Sequence, residues 1–243
     1  MNNQLFSLFV FISFFYSGIA TEGVLISNGL YNESTYACLK ARFSTEFVII
    51  RSNILEKSNG FPSPPDKQLV IDTNAPSNIK NALRGINGSV DIFFDPHAHP
   101  SWNTRQINIF ELLIKVLDYL DDNNANFDRV WLHIAFTSSN NNQWWTISSD
   151  YSIQIIEKLV NTLKKKNRKY GIFTKRDHWI EITGNTTKFS DAPLLYSSYN
   201  NKNNFDDYHR CGYAFGGWED PEMKVFEEYR YICKAYVNLL WMP

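Results

Sequence analysis

The stretch "RVWLHIAF", Arg129 to Phe136, decides how the rest of the chain is read. Its apolar residues run into the polar segment "TSSNNNQWW", the pattern of a buried strand entering a loop. Working outward, similar apolar, β-branched runs fall at 23–27, 47–52, 90–94, 170–175 and 193–199. Between them lie segments of helical period. The clearest are 103–121, where Ile107, Phe110, Leu113, Ile114, Leu117 and Leu120 recur at three and four residues, and 151–166, with Ile155, Ile156, Leu159, Val160 and Leu163. The second ends in "KKKNRK", a basic last turn that suits the helix dipole and reads as a solvated cap. After Tyr199 the helical period fades, and "GYAFGGW", "KVFEEYRY" and "YVNLLWM" read as closing strands. The sum predicts an α/β fold, a single TIM-like β/α barrel with about five helices and about eight strands, the last of which close without helices.

A chain of 243 residues fits one such barrel, and 24 basic against 25 acidic side chains give no field that would attract a polyanion. Nucleic acid is therefore excluded as an expected partner. Residues 1–20, "MNNQLFSLFVFISFFYSGIA", combine an apolar run with small residues at Gly18 and Ala20, as in a secretory signal peptide, leaving residues 21–243 as the barrel domain. No later segment is long and apolar enough to span a bilayer, so no membrane association is expected after cleavage. Secretion, or delivery to a lysosomal or vesicular lumen, suits a disulfide among the 3 cysteines. Cys211 and Cys233 flank a compact C-terminal segment and are the expected pair, with Cys38 left as a small buried hydrophobe. Sequons at Asn32, Asn87 and Asn185 fit the same route. No cofactor is expected, and the chain is read as a monomer.

In a β/α barrel the reactive groups project from the carboxyl ends of the strands. Alternation puts Trp131, His133 and Ala135 on one face of the 130–136 strand, so His133 points into the barrel or toward its mouth. A lone strand histidine is commonly a satisfied interior residue. The motif "DPHAHP" follows the strand before it, and its His97 and His99 with His133 could hold a divalent metal for a hydrolase. Pro96 and Pro100 read equally well as a rigid loop, and no further His/Asp set follows, so no metal is expected.

The segments "VWLHIAF", "YGIFTKRDHWIEITGN", "APLLYSSYN", "FGGWEDPEMKVFEEY" and "YVNLLWMP", in that order, resemble the second half of glycoside hydrolase family 25, the Chalaropsis-type lysozymes. "GVLISNG" resembles that family's opening G-V-D-V-S, and the loop after 90–94 is most similar to nematode lysozyme-like proteins. The resemblance implies a β/α barrel acting on peptidoglycan between N-acetylmuramic acid and N-acetylglucosamine. Such hydrolysis needs a carboxylic acid to protonate the leaving oxygen and negative charge beneath an oxocarbenium-like transition state. Carried over by motif, the family's acid positions fall at Leu25, His133, Ala135 and Asn238, none of them a carboxylate. Asp95 and His133 are the possible substitutes, with Glu227 or Glu228 near a late strand.

The resemblance thus implies a secreted lysozyme-like protein that recognises peptidoglycan or a related amino-sugar glycan in antibacterial defence or digestion, with muramidase activity lost or weak. Tyr196, Tyr199, Trp218, Trp144 and Trp145 are the expected sugar-stacking residues, Tyr196 and Trp218 being equally readable as packing. Two alternatives stay open: an active glycoside hydrolase using unusual groups, and a scaffold used as a metal-dependent hydrolase or a non-glycan effector.

Overall fold

The computed structural model describes residues 20–57, 67–96, 108–136, 145, 148–210 and 212–243. Ten strands and five helices occur among the described residues: β1 (Thr21–Ile26), α1 (Glu33–Phe43), β2 (Thr45–Arg51), β3 (Asn53–Lys57), β4 (Lys67–Ile71), α2 (Ala75–Ile86), β5 (Ser89–Phe94), α3 (Ile109–Asp122), β6 (Arg129–His133), α4 (Ser149–Lys165), β7 (Lys169–Thr174), α5 (Arg176–Thr183), β8 (Leu194–Ser197), β9 (Met223–Ile232) and β10 (Ala235–Met242). Eight strands form a closed barrel in the order β1-β10-β9-β8-β7-β6-β5-β2, as the alternation predicts. Strands from β1 round to β9 pair in parallel, whereas β10 runs antiparallel to both β9 and β1. The barrel mouth, the end at which such barrels carry their sites, is the one where β1, β2, β5, β6, β7 and β8 finish.

Period-2 alternation divides the apolar residues between two cores. Leu25, Ile49, Phe93, Trp131, Phe173 and Leu240 fill the barrel interior. Val24, Ile50, Ile92, Leu132, Ile172 and Leu194 face outward to the helices. The helices carry their own boundary signals. Asn32, Asn108 and Ser148 side chains accept backbone N–H groups at the starts of α1, α3 and α4, and Gly184 ends α5 at positive φ. Lys164 and Lys165 lie in the last turn of α4, and the following Lys166 and Arg168 pair with Asp118 and Asp121 of α3.

Three sequence expectations are corrected. "GYAFGGW" is a turn, because Gly216 and Gly217 both take positive φ, 62° and 77°, and a strand would need extended backbone there. A Cβ at Gly216 would also lie 2.2 Å from the Trp218 ring. Secondly, β3 and β4 pair as a separate two-stranded ribbon between β2 and α2, which the barrel count omits. Thirdly, the disulfide is Cys38–Cys233, not Cys211–Cys233. Cys233 and Lys234 form the two-residue turn of the β9–β10 hairpin, both at positive φ. Because β10 hydrogen-bonds to β1, the hairpin tip comes against α1, and the two Cα atoms stand 5.8 Å apart. Cys211 lies outside the described residues.

The bond closes 195 residues of chain, for which the loop-entropy model gives a stabilisation of roughly 5 kcal/mol. Replacing Cys38 and Cys233 together by Ala should lower the unfolding free energy by about 3–5 kcal/mol in urea titration. Peptide mapping without reduction should link Cys38 to Cys233 and find Cys211 as the alkylatable thiol; a Cys211–Cys233 peptide would refute the assignment.

Candidate functional site

At the mouth, the floor is apolar. Leu25 is buried in the interior core and stands in register with Asn238 of β10, whose Oδ1 accepts the Tyr229 backbone N–H at 3.1 Å. Ala135, just beyond β6, is also buried. These three positions, where the family resemblance implies acids, thus hold a hydrocarbon, an amide and a methyl group.

His133 ends β6 and is the fourth. Its ring stacks on Phe173 at 4.2 Å between centroids and meets Phe93 edge-on at 5.9 Å. Its Nδ1 lies 3.3 Å from Asp95 Oδ2, with side-chain exposures of 24% and 13%. A pair this close to solvent contributes about 1 kcal/mol to stability, so its interest is chemical. A carboxylate at Nδ1 favours the tautomer with Nδ1–H donating to Asp95, leaving Nε2 as the nitrogen that can take or give a proton. Asp95 is itself held by Asn53, which donates from Nδ2 to the Asp95 carbonyl and accepts the Asp95 backbone N–H, both at 2.9 Å. Arg51 lies 3.6 Å from Asp72 and within electrostatic reach of Asp95.

A second imidazole stands beside the first. His178 of α5 accepts the Phe136 backbone N–H on Nδ1 at 3.2 Å and packs edge-on against the Phe136 ring at 5.1 Å. Burial first, then the charges of Lys175 and His133, push it down to about 4. The neutral ring is what the backbone N–H requires, since a protonated Nδ1 could not accept it.

Asp95 and His133, the two possible substitutes, stand in contact. Sequence reading noted each residue separately but missed their contact, as well as Asn53, Arg51 and His178. The detectable signal was parity: Asp95 is two residues beyond the inward Phe93.

The aromatic expectations divide. Tyr196 is buried and its hydroxyl donates to Asp207 Oδ2 at 3.0 Å. Trp218 is buried, donates from Nε1 to the Ala192 carbonyl at 2.7 Å and packs on Trp179 at 4.9 Å. Both are packing residues of the outer layer, and their sugar-stacking reading is corrected because no ring face is open. Trp145 is likewise buried. Tyr199 is exposed, its hydroxyl beside Ser197 and Glu228. Trp144, His97 and His99 lie outside the described residues; among those described, no group of three His, Cys, Asp or Glu side chains could hold a metal.

The motif "FGGWEDPEMK" builds structure rather than chemistry. Lys224 is fully buried on the outer face of β9, 2.6 Å from Asp207 Oδ1 and 2.8 Å from the Asn204 carbonyl. Burial pushes Asp207 up, but hydrogen bonds from Lys224, Ser198 and Tyr196 outweigh it and hold the carboxyl below its usual range. An open cleft of about 580 Å³ beside Trp218, Asp191 and Glu222 lies at the amino ends of β8 and β9, away from the mouth.

Neutral His178 stabilises the fold fully above its unfolded pKa of about 6.5, and this contribution is lost as pH falls toward about 4. Asp91, pushed up to about 6 by burial despite donors from Trp131 and Arg129, acts with the opposite sign, favouring the fold as pH falls from 6 toward 3.8. His178→Gln should therefore flatten the acid limb of the urea midpoint between about pH 6.5 and 4 relative to the parent. An unchanged difference between the two proteins across that window would contradict the neutral-imidazole assignment.

A family model described as "Lys-1: Lysozyme-like protein 1" matches residues 26–226. The chain is 29% identical over 224 residues to "Probable GH family 25 lysozyme 2" of Dictyostelium discoideum, covering 92% of each. It is 23% identical over 176 residues to "Lysozyme-like protein 2" of Caenorhabditis elegans, covering 69% of this chain and 58% of that one. Among solved structures, the family GH25 lysozyme from Aspergillus fumigatus superposes with a TM-score of 0.63 at 18% identity, over 93% of this chain and 94% of the other. That last likeness is one of fold.

Proposed function

The chain belongs to the lysozyme-like protein 1 family, and on that premise we propose that it is a secreted protein that recognises peptidoglycan or a related amino-sugar glycan at the barrel mouth, with muramidase activity lost or severely weakened. The single observation that carries this reading is the composition of the mouth: buried Leu25 and Ala135, with Asn238 in register beside Leu25. A glycosidic oxygen is expelled only when protonated, and general acid catalysis alone contributes about 10²–10⁴ in rate. A hydrocarbon and a methyl group supply neither the proton nor the opposing charge. The mouth keeps groups suited to hydroxyls and acetamido groups, with Arg51, Asp95, His133 and Tyr199 around it.

Secretion is supported by the signal-like residues 1–20, by the disulfide, and by the exposure of Asn32, Asn87 and Asn185, each an expected glycosylation site. Among the described residues no helix is long and apolar enough to cross a membrane. A monomer acting in defence against bacteria or in their digestion completes the reading.

The Asp95···His133 contact favours a second reading, a weak hydrolase. There His133, oriented by Asp95 at its Nδ1, delivers a proton from Nε2 to the leaving oxygen, and the substrate's own acetamido group carries the charge beneath. The two readings separate on purified peptidoglycan. The first predicts retention on insoluble peptidoglycan or chitin, with turnover at least about 10²-fold below a competent family 25 lysozyme. Turnover that disappears in His133→Ala or Asp95→Asn establishes the second. Neither retention nor turnover would overturn both, and activity that vanished on chelation and returned with added zinc would instead revive a metal centre at "DPHAHP".

A further inference from the structure

The inner wall of the barrel continues past its mouth. Along β10, Ala235, Val237 and Leu239 face the outer layer, while Leu240 belongs to the interior core and Met242 packs against it. Asn238 shares that inward face, and two residues nearer the hairpin tip so does Tyr236. Tyr236 stands directly opposite Tyr231 of β9, with ring centroids 4.9 Å apart and planes at 47°. The rings have no cover among the described residues: Tyr231 is 63% exposed, Tyr236 54%, neighbouring Tyr229 74%, and Tyr199, across from them on the β8 side, 46%. Of the six large exposed apolar side chains described, four are these tyrosines, so they form a localised face rather than scatter.

We propose that this tyrosine face of the β9–β10 hairpin is a second glycan-binding surface, on which an N-acetylated amino-sugar strand leaving the mouth is stacked; the proposal rests on the glycan-recognition reading above. Three observations support that occupant. The face is continuous with the mouth through Asn238 and Tyr199. Its chemistry is amphipathic, with ring faces for sugar C–H groups and phenol hydroxyls for sugar hydroxyls, and no exposed branched aliphatic residue among the rings. It is also braced. The hairpin tip is bonded through Cys233 to Cys38, and the Tyr229 backbone N–H is held by Asn238, so little ordering accompanies binding. The adjoining charges are of both signs, Arg230 and Lys234 with Glu227 and Glu228, which does not select an anionic lipid surface.

The test uses the full mature chain with an N-acetylglucosamine tetramer in calorimetric titration, and insoluble peptidoglycan in a retention assay. Tyr231→Ala/Tyr236→Ala should weaken both by at least about tenfold, while Tyr231→Phe/Tyr236→Phe, which keeps the ring faces, stays within about threefold. Circular dichroism and urea midpoints check that each variant folds, and the Phe pair keeps the test informative if the Ala pair does not. Parent-like binding by the Ala pair, with loss in Asp95→Asn, overturns the hairpin surface and leaves the mouth reading intact. Loss in the Phe pair equal to that in the Ala pair overturns stacking. No binding by the parent overturns surface and mouth together. A parent that sediments as a dimer and an Ala pair that sediments as a monomer would make the face a self-association surface instead.

Discussion

The pairing of β10 with β1 is the constraint on which the rest of the molecule depends. Seven strands running one way leave a sheet open between the first βα unit and the C-terminal segment, and the antiparallel β10 fills that gap. Its register sets Asn238 beside Leu25, so two positions from opposite ends of the chain share one wall of the mouth. The same pairing delivers Cys233 to α1, where the disulfide pins the hairpin. It also carries the barrel's inward face out past the rim. Closure, covalent tether and exposed tyrosine face thus follow from one set of backbone hydrogen bonds.

Most of that architecture was legible in local patterns. Alternating apolar runs marked the six parallel strands from β1 to β8, and helical periodicity marked α4 to within two residues and α3 at its end, though its start at Ile109 lies six residues after the expected 103. The failures have physical causes. Two glycines at positive φ turned an apolar, aromatic run into a corner that lodges Trp218 against Trp179. The ribbon of β3 and β4 is too short to show a period. Proximity in sequence suggested Cys211 for Cys233, whereas the partner comes from 195 residues away, a distance that only closure collapses.

The site was legible as a set of absences more than as a set of partners. Motif order located Leu25, His133, Ala135 and Asn238, and the structure sets Leu25 beside Asn238 on one wall and buries Ala135 beyond β6. What one-dimensional reading could not supply was the neighbourhood of His133: Asp95 is 38 residues away on the adjacent strand end, steadied by Asn53 from the ribbon, and His178 arrives from α5. Exposure was equally invisible. Tyr196 and Trp218 are consumed by packing, while the open rings belong to the hairpin, whose outward and inward faces are assigned only once the barrel core is known.

In the function proposed above, this mouth holds a glycan and leaves it whole. The most direct measurement is the mass of a defined muropeptide oligosaccharide recovered after it has been bound and eluted. A mouth that binds without cutting returns it at its starting mass. Recovery as fragments cut after N-acetylmuramic acid, at a rate that falls when His133 or Asp95 is replaced, would contradict that function.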